Sequence, residues 1–287
     1  MKSQQTNIFK FPISPLAKAG MLIKNMKVSG HAAEHDHSKP HRDDHYLLMI
    51  ATAGQFVINI DFENNIMKGP AMVLVLPGQV HHVVSASKPM GWGISIDPTL
   101  VDKEFQLILE KGFRKPLSLD KESDFHGHVI TLMEQLEKLQ TSPVNVYAVR
   151  ASHSLLDALI GLIAGEIASI DTGGKSKTNR AAIIEQSFMQ LLKIHYKEWK
   201  HPARYAEELH ISVAHLYDTI KNITGDSVST YIQQYCILEA KRLLCFSKMT
   251  AREISYQLGY EEPVYFGKLF KKVTGLTPLQ FRQQYRD

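Results

Sequence analysis

The sequence predicts an α+β chain of two domains: an N-terminal β barrel or sandwich with trailing helices, and an all-α C-terminal domain of two helix-turn-helix units. Three observations carry this. Val- and Ile-rich runs between Tyr46 and Ile96 are broken at short intervals by turn residues. Beyond Asp120 the apolar period becomes helical. Near the C-terminus a segment of about a dozen residues recurs 50 positions later.

A chain of 287 residues has room for two domains, and 44% hydrophobic with 22% charged residues is a globular composition. The longest apolar stretches, Ala71 to Leu76 and Leu155 to Ile163, are too short or interrupted to span a bilayer, and Met1 to Phe11 lacks the pattern of a secretory signal. A cytoplasmic protein with no membrane partner is expected. Cys236 and Cys245 lie nine apart in a helix-like segment, which fits neither a disulfide framework nor a zinc ligand set. The net charge of +4 is unevenly spread: Lys175 to Asp287 holds 17 basic and 11 acidic residues, +6, leaving −2 for the rest. The positive field therefore sits at the C-terminal end, as a polyanion partner requires.

Taken in order, strands of the barrel (about 20–120) are punctuated by Ala53-Gly54, Glu63-Asn64-Asn65, Lys68-Gly69-Pro70 and Pro77-Gly78. Val129, Leu132, Met133, Leu136 and Leu139 mark one helix of the following segment (121–170). Past Pro143, Val146, Val149, Leu155, Leu156, Leu159 and Ile163 mark a second, whose face extended by Ala148, Ala158 and Leu162 suits either burial in its own domain or a partner. Residues 171–179 contain no apolar side chain and read as a linker between domains 1–170 and 180–287.

In the second domain, Leu216 to Ser227 and Phe266 to Thr277 share an order of apolar, Lys, apolar and Thr-Gly. Each follows a short helix and a three- to four-residue turn, giving helix-turn-helix units at about 202–223 and 250–273. Thr250 and Glu253 form a capping box; Gly259 permits the positive φ of a tight turn; Pro263 suits a first helical turn. Ser212 is the N-cap of the equivalent helix in the first unit, where His210 stands in place of a turn-former. Between the units, Val228 to Leu244 reads as a spacer helix buried through Ile232, Cys236, Ala240, Leu243 and Leu244.

The two second helices leave polar faces free. A helix fits the major groove of B-DNA, so side chains on these faces can meet base edges while lysines and helix N-termini hold phosphates. The first face offers Ala214, Tyr217, Asp218 and Lys221; the second offers Val264, Gly267, Lys268 and Lys271. A rigid spacer would let both enter successive grooves, roughly 34 Å apart.

Glu239 to Leu244, Thr250 to Tyr260, Pro263 to Pro278 and Phe281-Arg282 resemble the signature of the AraC/XylS family of bacterial transcription regulators, over Ile183 to Arg286. The resemblance implies seven helices, double-stranded DNA as partner, and activation or repression through RNA polymerase. By position it implies base contacts from Ala214, Tyr217 and Asp218, and from Pro263, Val264, Gly267 and Lys268. Asp218 and Lys268 stand where arginine is frequent.

More weakly, His41-Arg-Asp-Asp-His45, Gly54, Gly69 and Pro77-Gly-Gln-Val-His81 resemble the cupin-like sensor domain of the same family. This implies a small-molecule effector site, for which His41, His45, Tyr46, His81 and Trp92 are the wall candidates, and a homodimer formed through the last helix of that domain. Metal cupins add a glutamate near the position of Leu47, which cannot ligate. No catalytic residue, metal or cofactor is therefore expected. A metal-dependent cupin enzyme fused to a DNA anchor is the alternative. The wider set His31, His35, His37 and His82 also suits a polar loop with strand-end histidines.

Overall fold

Strand alternation and helix capping can be followed residue by residue in the computed structural model, which describes residues 8, 10–26, 37–113, 115–143, 145–170 and 179–285. His31, His35 and residues 171–178 of the expected linker lie outside these. The chain divides into two units, one of Phe9–Gly173 and one of Gly174–Asp287 with Met1–Ile8.

The first unit contains β1 (Lys10–Phe11), β2 (Met21–Asn25), β3 (His41–Asp43), β4 (Tyr46–Ile60), β5 (Glu63–Lys68), β6 (Ala71–Val75) and β7 (Val80–Ile96), then α1 (Lys103–Gly112), β8 (Leu117–Ser118), α2 (Asp124–Thr141) and α3 (Val146–Ile170). All pairings are antiparallel except β1 with β3, so the sheet is mixed. β4 and β7 pair along most of their length, yet their two halves have different outer partners. The first half of β4 pairs with β6 and its second half with β5, while β7 meets β3 early and β2 late. Two half-sheets thus share one bent pair.

The bend has a local cause. Register shifts occur between Ala51 and Ala53 and between Ala53 and Gln55, the bulge geometry that kinks a ladder. Gly54 sits there with φ 78°, and a Cβ on it would lie 2.0 Å from the Lys88 carbonyl oxygen, so only glycine fits.

Strand alternation then builds two cores. Tyr46, Leu48, Ile50, Trp92, Ile94 and Ile96 face one way and pack with Val129, Met133, Leu136, Leu156, Leu159 and Ile163 of the helices. Met49, Ala51, Phe56, Ile58, Met67, Val73 and Val75 face the other way and meet between the half-sheets. Ser123 caps α2 by accepting from the His126 amide. Among the described residues α3 alone is long and apolar enough to cross a bilayer. Leu156, Leu159, Ile160, Ile163 and Ala164 of this helix are buried, whereas Ala158 is exposed and Leu162 half-buried.

The second unit contains α4 (Asn179–His195), α5 (Pro202–Glu208), α6 (Val213–Thr224), α7 (Val228–Phe246), α8 (Ala251–Gln257), α9 (Pro263–Thr274) and α10 (Pro278–Tyr285). Asn179, expected in the linker, already belongs to α4. Phe188, Leu192, Tyr205, Leu216, Ile220, Val228 and Ile232 form the core of its first half. Phe266, Phe270 and Phe281 interlock in the second, the last two edge to face at 5.5 Å. α7 packs on α6, α8, α9 and α10, and its Cys236 and Cys245 are buried free thiols. Lys200 ties the halves together: its ammonium donates to the Tyr196 and Leu258 carbonyls and lies 4.5 Å from the Tyr260 ring centre. Burial lowers the pKa of this lysine from its ordinary value.

Candidate functional site

The two helix-turn-helix units differ in their turns and agree in their second helices. The capping box is present in α8, with the Thr250 hydroxyl accepting from the Glu253 amide and the Glu253 carboxylate accepting from the Thr250 amide. After α8 the amides of Gly259 and Tyr260 return to Tyr256 and Ser255; after α5 those of His210 and Ile211 return to Glu207 and Ala206. Gly259 takes φ 77° and His210 takes φ 53°. The first turn therefore forms with the same left-handed residue, but in a side chain for which that region costs about 1–2 kcal/mol. The second connection is one residue longer, since α6 begins five residues after α5 ends and α9 six after α8.

α6 and α9 bury equivalent positions: Leu216, Thr219 and Ile220 in one, Phe266, Leu269 and Phe270 in the other. Ser212 caps α6 by accepting from the His215 amide at 3.1 Å, Pro263 opens α9, and Gly225 and Gly275 end them in left-handed conformation. Ala214, Asp218 and Lys221 are exposed on α6, and Val264, Lys268 and Lys271 on α9, with Gly267 half-buried between them. Tyr217 departs from expectation. It is half-buried, and its hydroxyl shares a 2.7 Å hydrogen bond with Ser229 Oγ of α7, so the ring leans on the scaffold.

Beside the expected Val264, which is 68% exposed, two apolar side chains that were not expected lie open at the helix heads: Tyr265, 56% exposed, and Val213 of α6, 40% exposed. Apolar side chains at the head of a helix facing a groove can contact thymine methyl groups.

The second site is a cavity of about 470 Å³ on the inner face of the sheet, walled by Leu47, Met49, Phe56, Ile58 and Val83 and carrying His37, His41, Asp43, His45, His81 and Lys24. Three of the five expected wall residues, His41, His45 and His81, are here. Tyr46 and Trp92 are not. Along β4 and β7 side chains alternate between faces, so neighbours of Leu47 and Gly93 point the other way, into the helix-facing core. Trp92 Nε1 donates to Glu137 Oε2 of α2 at 2.6 Å, and the Tyr46 hydroxyl reaches Glu110 Oε1 of α1 at 3.4 Å. Burial and the Glu110 charge push the Tyr46 phenol upward. His82 leaves the cavity by the same alternation.

The polar end of the cavity is tightly made. His41 pairs with His81 across β3 and β7, their ring centres 4.3 Å apart. Asp43 Oδ2 lies 3.5 Å from both His45 Nε2 and His81 Nε2, and all four side chains are buried. Burial and the neighbouring His41 push His81 down to about 3, while burial raises Asp43. Asp43 was not among the expected site residues, although it lies inside the quoted histidine motif.

Two family models match the chain: an AraC-like ligand binding domain over residues 26–192 and a helix-turn-helix domain over 205–284. Histidine kinase P4 of Formosa agariphila is 34% identical over 83 residues, 29% of this chain and 6% of that protein. YisR of Bacillus subtilis, an uncharacterized HTH-type transcriptional regulator, is 30% identical over 92 residues, 32% of each. These matches thus span a third or less of the curated relatives' length. The C-terminal domain of the response regulator yesN from Fusobacterium nucleatum is 27% identical, with a TM-score of 0.33 over 34% of this chain and 96% of that one.

Proposed function

This chain belongs to the AraC family of transcription regulators, and we propose that it acts as a sequence-specific, ligand-responsive one. The observation that carries the reading is the pair of helices with one burial pattern set 50 residues apart, Leu216, Thr219 and Ile220 against Phe266, Leu269 and Phe270. Two helices that bury the same face in one unit can offer the other face to successive major grooves of double-stranded DNA. Lys221, Lys268 and Lys271 would hold phosphates or bases, Val264 and Ala214 would touch apolar base edges, and Asp218 would select against guanine. Ser212 and Pro263 fix the helix starts that aim these side chains. Tyr217 supports the face from behind.

The bent two-half sheet is read as a cupin-like barrel, with the domain boundary in the 171–179 segment. Its cavity suits a small molecule with an apolar body and a polar head, set against His41, His45, Asp43 and His81. An effector of this kind shifts regulation only through unequal affinity for two arrangements of the protein. The remaining exposed positions of α3, with Ala158 and Leu162, favour a homodimer placing four helix-turn-helix units on DNA. Cytoplasmic action at promoters with RNA polymerase is part of this reading, which calls on no catalytic group.

The test is a dialysed full-length chain screened against metabolites by thermal shift, with each hit carried into DNA binding. The reading requires a compound that stabilises the protein, changes its DNA affinity and loses both effects in Met49→Trp, which fills the cavity. Stabilising compounds that act equally on Met49→Trp would refute this site.

A further inference from the structure

We propose that His41, Asp43 and His81 bind a single divalent transition-metal ion in the wall of the sheet cavity. This deepens the effector-site reading by giving the cavity an inorganic component. The cupin pattern places a carboxylate near Leu47; this chain supplies one from Asp43, two residues after the first histidine on the same strand face.

The donor set is compact. One ligand atom from each of the three residues lies within 4.8 Å of the other two, and all three residues are buried. Two imidazoles and one carboxylate suit zinc, iron(II), cobalt or nickel better than calcium or magnesium, which prefer oxygen throughout. Ligands about 2.1 Å from a shared ion sit roughly 3.0–3.4 Å apart, and His81 Nε2 is already 3.5 Å from Asp43 Oδ2.

Both rings are held in the tautomer a metal needs. His41 Nδ1 is 2.7 Å from the Lys39 carbonyl and His81 Nδ1 is 3.3 Å from the Gln79 carbonyl. A carbonyl only accepts, so each Nδ1 donates its hydrogen, which leaves Nε2 of each ring as the atom that can ligate. Metal-binding histidines are oriented by this kind of outer hydrogen bond. The same device occurs twice, each time to the carbonyl two residues back.

The consequence is a confrontation of acceptors. His81 Nε2 and Asp43 Oδ1 have no hydrogen-bond partner among the described residues, and the 3.5 Å approach of His81 Nε2 to Asp43 Oδ2 is ion-pair range without hydrogen-bond geometry. Buried acceptors facing one another are costly unless something positive lies between them. A proton can bridge only two such atoms; a cation serves all three donors. Three protein ligands leave coordination positions for an oxygen-bearing molecule, beside Lys24 and the apolar wall.

The full-length chain, produced without a histidine tag and stripped with a chelator, should be titrated with CoCl2 and ZnCl2. The expected result is one equivalent per chain, a visible cobalt absorption band and a higher melting temperature. His81→Ala and Asp43→Asn should each weaken uptake more than about 100-fold, whereas His82→Ala, on the other strand face, should bind as wild type. A folded wild-type chain that takes up no stoichiometric ion overturns the proposal, whatever the variants do. So does uptake unchanged in His81→Ala and Asp43→Asn, which would place the ion on other histidines. Where the chain takes up no ion but a metabolite still stabilises it, the metal reading falls while the effector reading stands.

Discussion

Gly259→Ala is the sharpest perturbation of the DNA-binding unit, because two separate costs fall on one methyl group. Gly259 has φ 77°, and a Cβ there would lie 1.8 Å from the Lys197 carbonyl oxygen and 2.9 Å from its carbon. Holding alanine in the left-handed region costs about 1–2 kcal/mol. The clash is with backbone, which cannot swing aside as a side chain would, and overpacking of that kind adds about 1–3 kcal/mol. The sum, about 2–5 kcal/mol, acts where Lys200 donates to the Leu258 carbonyl, so the tie between the two helical halves should loosen as well. Circular dichroism on the full-length chain should show the transition of the second unit lowered by on the order of 10 °C or more, with the first unit's transition unchanged. A shift of less than about 2 °C would refute the turn geometry, since neither cost could then be present.

His210→Gly makes the converse change in the first unit and should stabilise it by about 0.5–1 kcal/mol, after the entropy lost by the new glycine; destabilisation in the same melt would mean the imidazole contributes more than its φ costs. Trp92→Phe removes the hydrogen bond to Glu137 and should cost about 1–2 kcal/mol of stability while leaving effector affinity intact; a loss of affinity without loss of stability would return Trp92 to the cavity wall. In DNA titrations Lys271→Ala should weaken binding alike on all sequences and reduce the salt slope by about 1, its lysine serving phosphate alone. Sequence-dependent loss in that variant would assign it a base instead.

The helical half was legible because its signals are local. Caps, left-handed glycines and the recurring apolar triplet need only a few neighbouring residues, and Ser212, Thr250, Glu253, Gly259 and Pro263 do what their chemistry requires. Tyr217 was legible only in part, because helical spacing says which way a side chain leaves its helix but not that Ser229 of the next helix waits 2.7 Å from its hydroxyl. In the sheet, parity decides everything, and parity depends on bulges. Tyr46 is one residue from His45 and Leu47, and Trp92 one from Gly93, so each faces the opposite core from its neighbour. Asp43 went unnoticed for a different reason: a family motif directed attention to a glutamate position, while the register His41 with His81 that brings a nearer carboxylate into place is a long-range pairing. Tyr265 and Val213 show the limit of reading a helix face from charge, since each is apolar and exposed beside the residues that were expected.

Sequence-selective binding by the paired helices is tested most directly by fixing the salt concentration and comparing the full-length chain on DNA enriched from a random pool with scrambled DNA of equal length. Specific regulators bind their sites at least about 10³-fold more tightly than random DNA, and Lys268→Ala should narrow that gap by about 1–3 kcal/mol, with most of the loss on the enriched sequence. Equal affinity for enriched and scrambled DNA in the wild-type chain would contradict the account, leaving α6 and α9 as solvated faces of a basic helical domain.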